Sequence, residues 1–181
     1  MRLRDLDGRR VLIWGMGREG QAAATLLADP TRCRPAVVTT ADDGAREDAV
    51  EGRPAVELDD VDVIVKSPGV SLYRKEIAAF TRRGGVVTGL TDIVLCEREG
   101  RMTIGVTGTK GKSTTASLVA HLLRSAGVPV ELAGNIGRAP IEVLDILDRW
   151  LVLECSSYQC ADASVSPQIG VFTSIYEEHL D

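Results

Sequence analysis

The chain has 181 residues, of which 44% are apolar and 26% are charged, and its formal net charge is −5. These values are typical of a globular protein with room for one large domain or two small ones. No apolar run approaches the ~20 residues of a membrane span, and the start lacks the apolar stretch of a signal peptide. We therefore expect a cytoplasmic protein without a membrane span. The negative charge argues against nucleic acid as the main partner.

The cysteine and histidine content indicates whether the chain can form a zinc site. The chain has four cysteines and two histidines, and no Cys-x-x-Cys pair occurs. Structural zinc sites usually need such pairs. We therefore expect no zinc site and interpret the cysteines, at positions 33, 96, 155 and 160, as buried, reduced thiols.

Strand-like apolar runs alternate with helical patterns along the chain. Strands are predicted at 10–14, 36–39, 61–65, 86–87, 104–106, 129–132, 151–153 and 169–173, and helices at 20–27, 73–83, 111–126 and near 140–147. This alternation predicts an α/β fold of parallel sheets with helices on their faces. The most polar break lies at 96–101, so a domain boundary is predicted there, dividing a Rossmann-like domain at 1–98 from a second α/β domain at 99–181.

The second predicted domain has few strands. Four strands beside a nucleotide loop would leave an apolar sheet edge open. We therefore expect this part to be a truncated domain whose exposed apolar area makes it loose or self-associating.

A glycine pattern follows the first predicted strand. Gly15–Gly20 fits Gly-x-Gly-x-x-Gly, which indicates a dinucleotide or another phosphorylated ligand at a helix N-terminus. An NAD site would want an acidic residue at the end of the second strand, and Thr39-Thr40 stand there instead. NAD is therefore disfavoured. A glycine turn used only for tight strand–helix packing remains the alternative.

Two shorter motifs also follow predicted strands. They are Ser67-Pro-Gly69 and Asn135-Ile-Gly137. Loops at the carboxyl ends of strands line the ligand crevice of an open α/β sheet. Each motif is thus a candidate ligand loop, with a plain turn as the alternative.

The run from Thr107 to Thr114, Thr-Gly-Thr-Lys-Gly-Lys-Ser-Thr, predicts a phosphate-binding loop between a buried strand and a helix. Glycines let backbone N–H groups converge on phosphates, and the helix N-terminus adds partial positive charge. In this pattern Lys112 reaches the β- and γ-phosphates, and Ser113 ligates Mg²⁺. The generic pattern has glycine where Val106 stands. An ordinary Gly-rich turn with a solvated lysine is therefore the alternative.

An acidic residue, Glu154, ends a very apolar predicted strand. A buried carboxylate is unfavourable unless it is paired or binds a cation. Beside a phosphate loop, Mg²⁺ is the natural partner, because hard cations prefer oxygen ligands. Surface exposure of Glu154 is the alternative. His179 lies among acidic residues, and on its own it indicates only a solvated turn.

Together these motifs resemble the Mur ligase family, and within it the members that add glutamate to UDP-N-acetylmuramoyl-L-alanine. The resemblance covers essentially the whole chain. It rests on the motifs at 105–114, 134–137, 154–159 and 178–181, with Ser67-Pro-Gly69 and 89–92 as marks of the N-terminal domain. The glycine spacing of the phosphate loop, unusual against the generic pattern, is the family's own.

The resemblance implies ATP-dependent amide formation through an acyl phosphate, in peptidoglycan synthesis, with ATP and Mg²⁺ as cofactors. The implied ATP-binding residues are Gly108, Thr109, Lys110, Gly111, Lys112, Ser113 and Thr114. The implied catalytic residues are Lys112, Glu154 and His179, and the implied Mg²⁺ ligands are Ser113, Glu154 and His179. The implied UDP-substrate residues are Gly15, Met16, Gly17, Arg18, Thr39, Thr40, Ser67, Pro68 and Gly69, with Asn135, Ser156 and Gln159 at the muramoyl part.

Three departures from the family pattern limit this transfer. Thr39 aligns where relatives tend to carry an acid, so uracil recognition can differ. The residues at 155–159 and 175–179 differ from the commoner family motifs, so both D- and L-glutamate remain possible substrates. The family's modified lysine, the rest of its central domain and its C-terminal domain are not in this sequence, so we expect no turnover by this chain alone. The full-length protein is expected to be a monomer.

Two rival functions remain at this point. One is another amide-forming relative such as a folylpolyglutamate synthase, which lacks a UDP-binding domain like the one predicted at 1–98. The other is a non-catalytic nucleotide-binding module. This second alternative is disfavoured because the implied catalytic and metal-binding residues are all present: Lys112, Ser113, Glu154 and His179. A long-standing loss of catalytic function would not be expected to keep them together.

Overall fold

The computed structural model describes residues 1–41 and 58–177. The chain divides into two compact units, Met1–Leu90 and Thr91–Asp181. Each contains a four-stranded sheet, and every strand pair in both sheets is parallel. The predicted α/β class with parallel sheets is therefore confirmed. The functional boundary between residues 98 and 99 stays a prediction.

The first unit begins with a 3₁₀ turn and contains the strands and helices that were predicted for residues 1–90. In chain order they are Leu3–Leu6 (3₁₀), β1 (Arg10–Trp14), α1 (Arg18–Leu27), β2 (Val37–Ala41), β3 (Val63–Lys66), α2 (Lys75–Arg82) and β4 (Val86–Thr88). The strand order is β2-β1-β3-β4. The central strands β1 and β3 are buried almost throughout, as their unbroken apolar sequences require. Leu12, Trp14 and Ile64 form a core with Phe80 of α2.

The second unit places its helices and strands in a similar alternation. The elements are α3 (Leu90–Glu97), β5 (Thr103–Thr107), α4 (Lys112–Ser125), β6 (Val130–Gly134), a 3₁₀ turn (Pro140–Val143), β7 (Trp150–Glu154), α5 (Ser157–Asp162) and β8 (Ile169–Phe172). The strand order is β6-β7-β5-β8. Ala116 and Ala120 of α4 lie against Val106 and Val152, and their small side chains let the helix approach the sheet closely. All four strands point the same way, so their carboxyl ends share one edge.

The helix predicted near 140–147 is wrong, because only the 3₁₀ turn Pro140–Val143 forms. The N–H groups of Leu144 and Ile146 donate to the carbonyls three residues before them, Ile141 and Val143, at 3.3 and 3.2 Å, so the hydrogen bonds are of the 3₁₀ type. The buried guanidinium of Arg98 donates to the carbonyl oxygens of Ile146 at 2.5 Å and Arg149 at 2.6 Å, which holds the irregular segment that follows.

Two helices escape the sequence patterns. The α3 residues 90–96 are all buried, so that helix has no polar face to create a helical period. The other, α5, has six residues and is too short to show one.

Arg98 offers a test of this packing. We expect Arg98→Met to lower the free energy of unfolding of the second unit by roughly 2–4 kcal/mol, because two carbonyls lose charge-assisted hydrogen bonds. Arg101→Met is the matched control, since Arg101 is exposed and makes one longer bond of 3.2 Å to Leu147. Urea unfolding, followed by Trp150 fluorescence in a Trp14→Phe background, would measure the free energy of unfolding of both variants. Equal losses in the two variants would contradict the role given to Arg98.

The β8 side of the second sheet presents apolar residues to solvent. Ile169 and Phe172 of β8 are exposed, as are Ile175 and Tyr176 beyond it. The exposed apolar edge expected from the sequence is therefore present, while self-association stays a prediction. Across residues 1–41 and 58–177, no helix combines the length and the apolar character that crossing a bilayer requires.

Candidate functional site

The glycine loop of the first unit lies at the carboxyl end of β1, next to the carboxyl end of β3. β2 and β3 flank β1 on opposite sides, so the gap between β1 and β3 is the point where strand order reverses and where such folds bind ligands. The Ser67 hydroxyl donates to the Gly15 carbonyl oxygen at 2.6 Å, which ties the two loops together. Gly15 has φ +93°, a left-handed conformation that favours glycine.

Most of the other predicted UDP-substrate residues lie at this sheet edge. Met16 and Gly17 lead into α1, and Arg18 is its first residue. Pro68 and Gly69 follow Ser67 after β3. Thr39 and Thr40 are instead exposed residues within β2, paired in register with Leu12 and Ile13. The roles of all these residues stay predictions.

Gly20 is where α1 meets the loop. A Cβ at this position would overlap the Gly15 carbonyl oxygen. We expect Gly20→Ala to lower the free energy of unfolding of the first unit by about 1–3 kcal/mol, because the overlap is with backbone. Gly17→Ala is the control, since a Cβ there meets nothing within 4 Å. Urea unfolding, followed by Trp14 fluorescence in a Trp150→Phe background, would measure the free energy of unfolding of both variants. Equal stability of the two would contradict the packing argument.

The predicted phosphate loop of the second unit connects β5 to α4. Two of its glycines adopt positive φ, +136° at Gly108 and +83° at Gly111, the N-cap of α4. No described side chain caps this helix. Its first N–H groups point out of the helix end, where the helix dipole favours an anion. The loop is therefore built as an anion-binding helix start.

Lys112, the first residue of α4, folds back over the loop. Its ammonium donates to the carbonyl oxygens of Gly108 at 2.8 Å and Thr109 at 2.9 Å. Lys112 also lines a cavity of about 420 Å³. The cation is thus held at the cavity wall, within reach of an anion on the loop.

The segment after β8 braces the loop from the other side, a feature that the sequence patterns do not reveal. The N–H groups of Thr109 and Lys110 donate to the Ser174 carbonyl at 2.9 Å and hydroxyl at 3.0 Å. The Thr173 hydroxyl donates to the Lys110 carbonyl at 2.6 Å. Only the parallel placement of β8 beside β5 brings these residues together, and that pairing is not visible in the sequence.

Glu154 ends β7 directly beside the start of α4. The carboxylate is 3% exposed, and the Ser113 hydroxyl donates to its Oε1 at 3.1 Å. Its second oxygen, Oε2, is buried and accepts no hydrogen bond among the described residues. Surface exposure of Glu154 is therefore wrong. An orphaned buried carboxylate oxygen next to a hydroxyl is a donor set that fits Mg²⁺, which commonly takes one or two protein oxygens together with phosphate oxygens and water.

The remaining predicted residues lie close by in the second unit. The Asn135 N–H donates to the Glu154 carbonyl at 3.3 Å. Ser156 and Gln159 form a capping box at the start of α5, with bonds of 2.7 and 3.2 Å. Ser156 also lines the cavity with Lys112, whereas Gln159 lines a second cavity of about 350 Å³. These two side chains thus have a structural role that the sequence did not suggest.

The prediction for His179 falls outside the described residues. Within 1–41 and 58–177, no three His, Cys, Asp or Glu side chains cluster as a metal site of their own. The Mg²⁺ ligands named from the sequence are therefore represented in the structure by Ser113 and Glu154.

A parallel α/β unit with a glycine loop at a helix start, beside a buried carboxylate, is an arrangement that nucleotide-binding α/β proteins use. The comparisons with known proteins narrow this class. Residues 106–181 match the family model of the Mur ligase middle domain. Over these residues the chain is therefore similar to Mur ligases.

Its relatives match along its whole length. It is 41% identical to the UDP-N-acetylmuramoyl-L-alanine–L-glutamate ligases of a Micromonospora species and of Salinispora tropica, and 36% identical to that of Xanthomonas campestris. These alignments include 100% of this chain and 42–43% of each relative. The chain thus spans less than half the length of the curated relatives it matches.

A solved structure supports the fold. The UDP-N-acetylmuramate:L-alanyl-γ-D-glutamyl-meso-diaminopimelate ligase from Neisseria meningitides has a TM-score of 0.54 and 20% identity, and the match includes 96% of this chain and 62% of that one. At this identity the likeness concerns the fold alone.

Proposed function

We propose that this chain is the N-terminal part of a cytoplasmic, ATP-dependent ligase that joins L-glutamate to UDP-N-acetylmuramoyl-L-alanine in peptidoglycan precursor synthesis. The observation that carries this proposal is the Ser113–Glu154 contact beside the phosphate loop, where the buried Glu154 Oε2 accepts no hydrogen bond from the part of the chain that the structure describes. Together with Lys112, these groups provide the positive and metal-binding environment that a triphosphate needs.

The residues of the second unit would act by position and charge. Lys112 would exchange its loop carbonyls for phosphate oxygens, and the N–H groups at the start of α4 would hold the triphosphate. Mg²⁺ held by Ser113 and Glu154 would neutralise charge on the phosphates. Transfer of the γ-phosphoryl group to the substrate carboxylate needs such neutralisation rather than a protein nucleophile. Glutamate would then attack the acyl phosphate, and His179 is proposed as a further metal ligand.

The first unit would bind the UDP part of the substrate. The loops that carry Gly15 and Ser67 meet at the strand-order reversal, where the N-terminus of α1 suits a diphosphate. Thr39 and Thr40 of β2 would face the nucleoside. Asn135 and Ser156 of the second unit would contact the muramoyl part, and Gln159 would hold Ser156 in place through the capping box.

L-glutamate is proposed as the amino acid because the similar proteins named above carry that isomer in their names. The folylpolyglutamate alternative is disfavoured, since those relatives match the first unit as well as the second. The full-length protein is proposed to be a monomer that acts on small molecules.

The activity can be tested with a polypeptide of the relatives' length that carries these residues. We expect phosphate release from ATP that requires both UDP-N-acetylmuramoyl-L-alanine and L-glutamate, and none from the 181-residue chain alone. Phosphate release that is independent of glutamate would contradict the ligase assignment. Preference for D-glutamate would contradict the assigned isomer, and a folate acceptor that replaces the UDP substrate would support the rival family member.

A further inference from the structure

The second unit contains a pair of cysteine side chains that the proposed ligase chemistry does not use. Cys155 follows Glu154 at the end of β7, and Cys160 lies in α5. All four cysteines are thiols in the structure, and Cys160 is exposed whereas Cys155, Cys33 and Cys96 are buried. The sequence interpretation of buried thiols is therefore wrong for Cys160, which α5 holds at the surface.

Cys160 borders two cavities at once. With Cys155 it lines the cavity of about 350 Å³ that also contains Gln159. It further lines the cavity of about 420 Å³ that contains Lys112 and the phosphate loop. Cys160 therefore forms part of the wall of both cavities.

The environment of Cys160 favours its thiolate form. The Cys155 side chain hydrogen-bonds to Cys160, and this contact is the main cause that lowers the pKa of Cys160 to about 6, against burial, which raises it. Cys33 has the opposite environment, because burial raises its pKa. The thiolate is the nucleophilic form of cysteine. Cys160 is both more exposed and more easily deprotonated than Cys33.

From the shared cavities and the paired sulfurs, we propose that Cys160 is a modification site for small, soft electrophiles, and that its adduct fills the pocket beside the phosphate loop. With N-ethylmaleimide as the probe, the Cys160 sulfur adds to the ring C=C bond. One S–C bond forms, the double bond becomes single, and the neighbouring carbon takes a proton from water. Neither an oxidant nor a reductant is needed.

The labelling experiment uses the intact chain and maps adducts by peptide mass spectrometry over a range of pH. At pH 6 about half of Cys160 is thiolate, against under about 1% of an ordinary thiol. A low-pKa thiolate is less nucleophilic, so we expect labelling about tenfold faster than that of an unperturbed thiol, with a rate midpoint near pH 6. Labelling that spares Cys160, or a midpoint near the ordinary ~8.5, would overturn the proposal.

Variants separate the hydrogen bond from simple exposure. Cys155→Ala removes the side-chain partner of Cys160 and should move the rate midpoint of Cys160 upward, while Cys155→Ser retains a hydroxyl that can hydrogen-bond and should restore a lower midpoint. Cys160→Ser should abolish the fast adduct. An unchanged midpoint in a folded Cys155→Ala variant, checked by its thermal unfolding, would overturn the role of Cys155.

The expected effect of the adduct on ATP binding rests on the proposed function, and a separate binding measurement tests it. Unmodified chain should bind Mg·ATP, and the Cys160 adduct should bind it at least about tenfold more weakly, about 1.4 kcal/mol. Equal binding before and after labelling would overturn the pocket-filling claim. Failure of the unmodified chain to bind Mg·ATP would instead contradict the proposed function, and the labelling result would still decide the thiol site.

Discussion

Lys112→Met is expected to weaken binding of Mg·ATP to this chain by about 10- to 100-fold. The variant keeps the aliphatic stem and removes the ammonium, which in the structure lies over the loop at the cavity wall. A charge-assisted hydrogen bond contributes about 1.5–3 kcal/mol, and every 1.4 kcal/mol is a factor of about ten in affinity. Isothermal calorimetry with Mg·ATP measures the change directly.

The control for this variant is Lys75→Met, an exposed lysine at the start of α2 in the first unit. It removes the same charge from the chain without touching the loop, so its affinity for Mg·ATP should equal that of the parent chain. Because Lys112 also braces two loop carbonyls, thermal unfolding of both variants should accompany the calorimetry. A folded Lys112→Met chain with unchanged affinity would mean that the loop is an ordinary glycine turn.

Glu154→Gln is expected to remove most of the Mg²⁺ dependence of ATP binding. In the parent chain, chelation of Mg²⁺ should weaken ATP binding at least about tenfold, because the metal links phosphate oxygens to protein oxygens. Glutamine keeps the shape and the oxygen that accepts from Ser113 but lacks the negative charge. The affinity of the variant for ATP should therefore be nearly the same with and without Mg²⁺.

The same variant has an opposite expected effect on stability. One oxygen of the buried Glu154 carboxylate accepts no hydrogen bond within residues 1–41 and 58–177, and a buried unpaired charge disfavours folding. Without metal, Glu154→Gln should raise the free energy of unfolding by about 1 kcal/mol or more. Glu142→Gln, at a half-exposed residue of the 3₁₀ turn, is the control. A Glu154→Gln chain that keeps its Mg²⁺ response would contradict the metal site, whatever its stability.

The sequence predicted the parts of this protein that depend on local patterns. The strands β1, β3, β5 and β7 are mainly apolar runs, and the predicted loop glycines at 108 and 111 both have positive φ. The side of the sheet on which Glu154 ends followed from parallel topology alone. Its contact with Ser113, near the start of α4, agrees with the prediction of both residues as ligands of one Mg²⁺ ion.

The features that the sequence did not predict depend on contacts far apart along the chain. The segment near 140–147 was predicted to be a helix but forms only a 3₁₀ turn, and the guanidinium of Arg98 holds the carbonyls of Ile146 and Arg149 that follow. Ser174 braces the phosphate loop from 64 residues away. The pairing of Cys155 with Cys160 depends on the turn that the Ser156–Gln159 capping box creates, and a capping box is visible in sequence only as a weak motif.

The central claim is that the first unit binds a UDP-linked substrate, and calorimetry with UDP-N-acetylmuramoyl-L-alanine tests it most directly, with UMP and NAD as comparison ligands. Our account predicts binding of the UDP substrate, weaker binding of UMP and none of NAD. Binding of NAD without the UDP substrate, or no binding by a chain whose first unit is folded, would contradict it, and Thr39 would then be the first residue to examine.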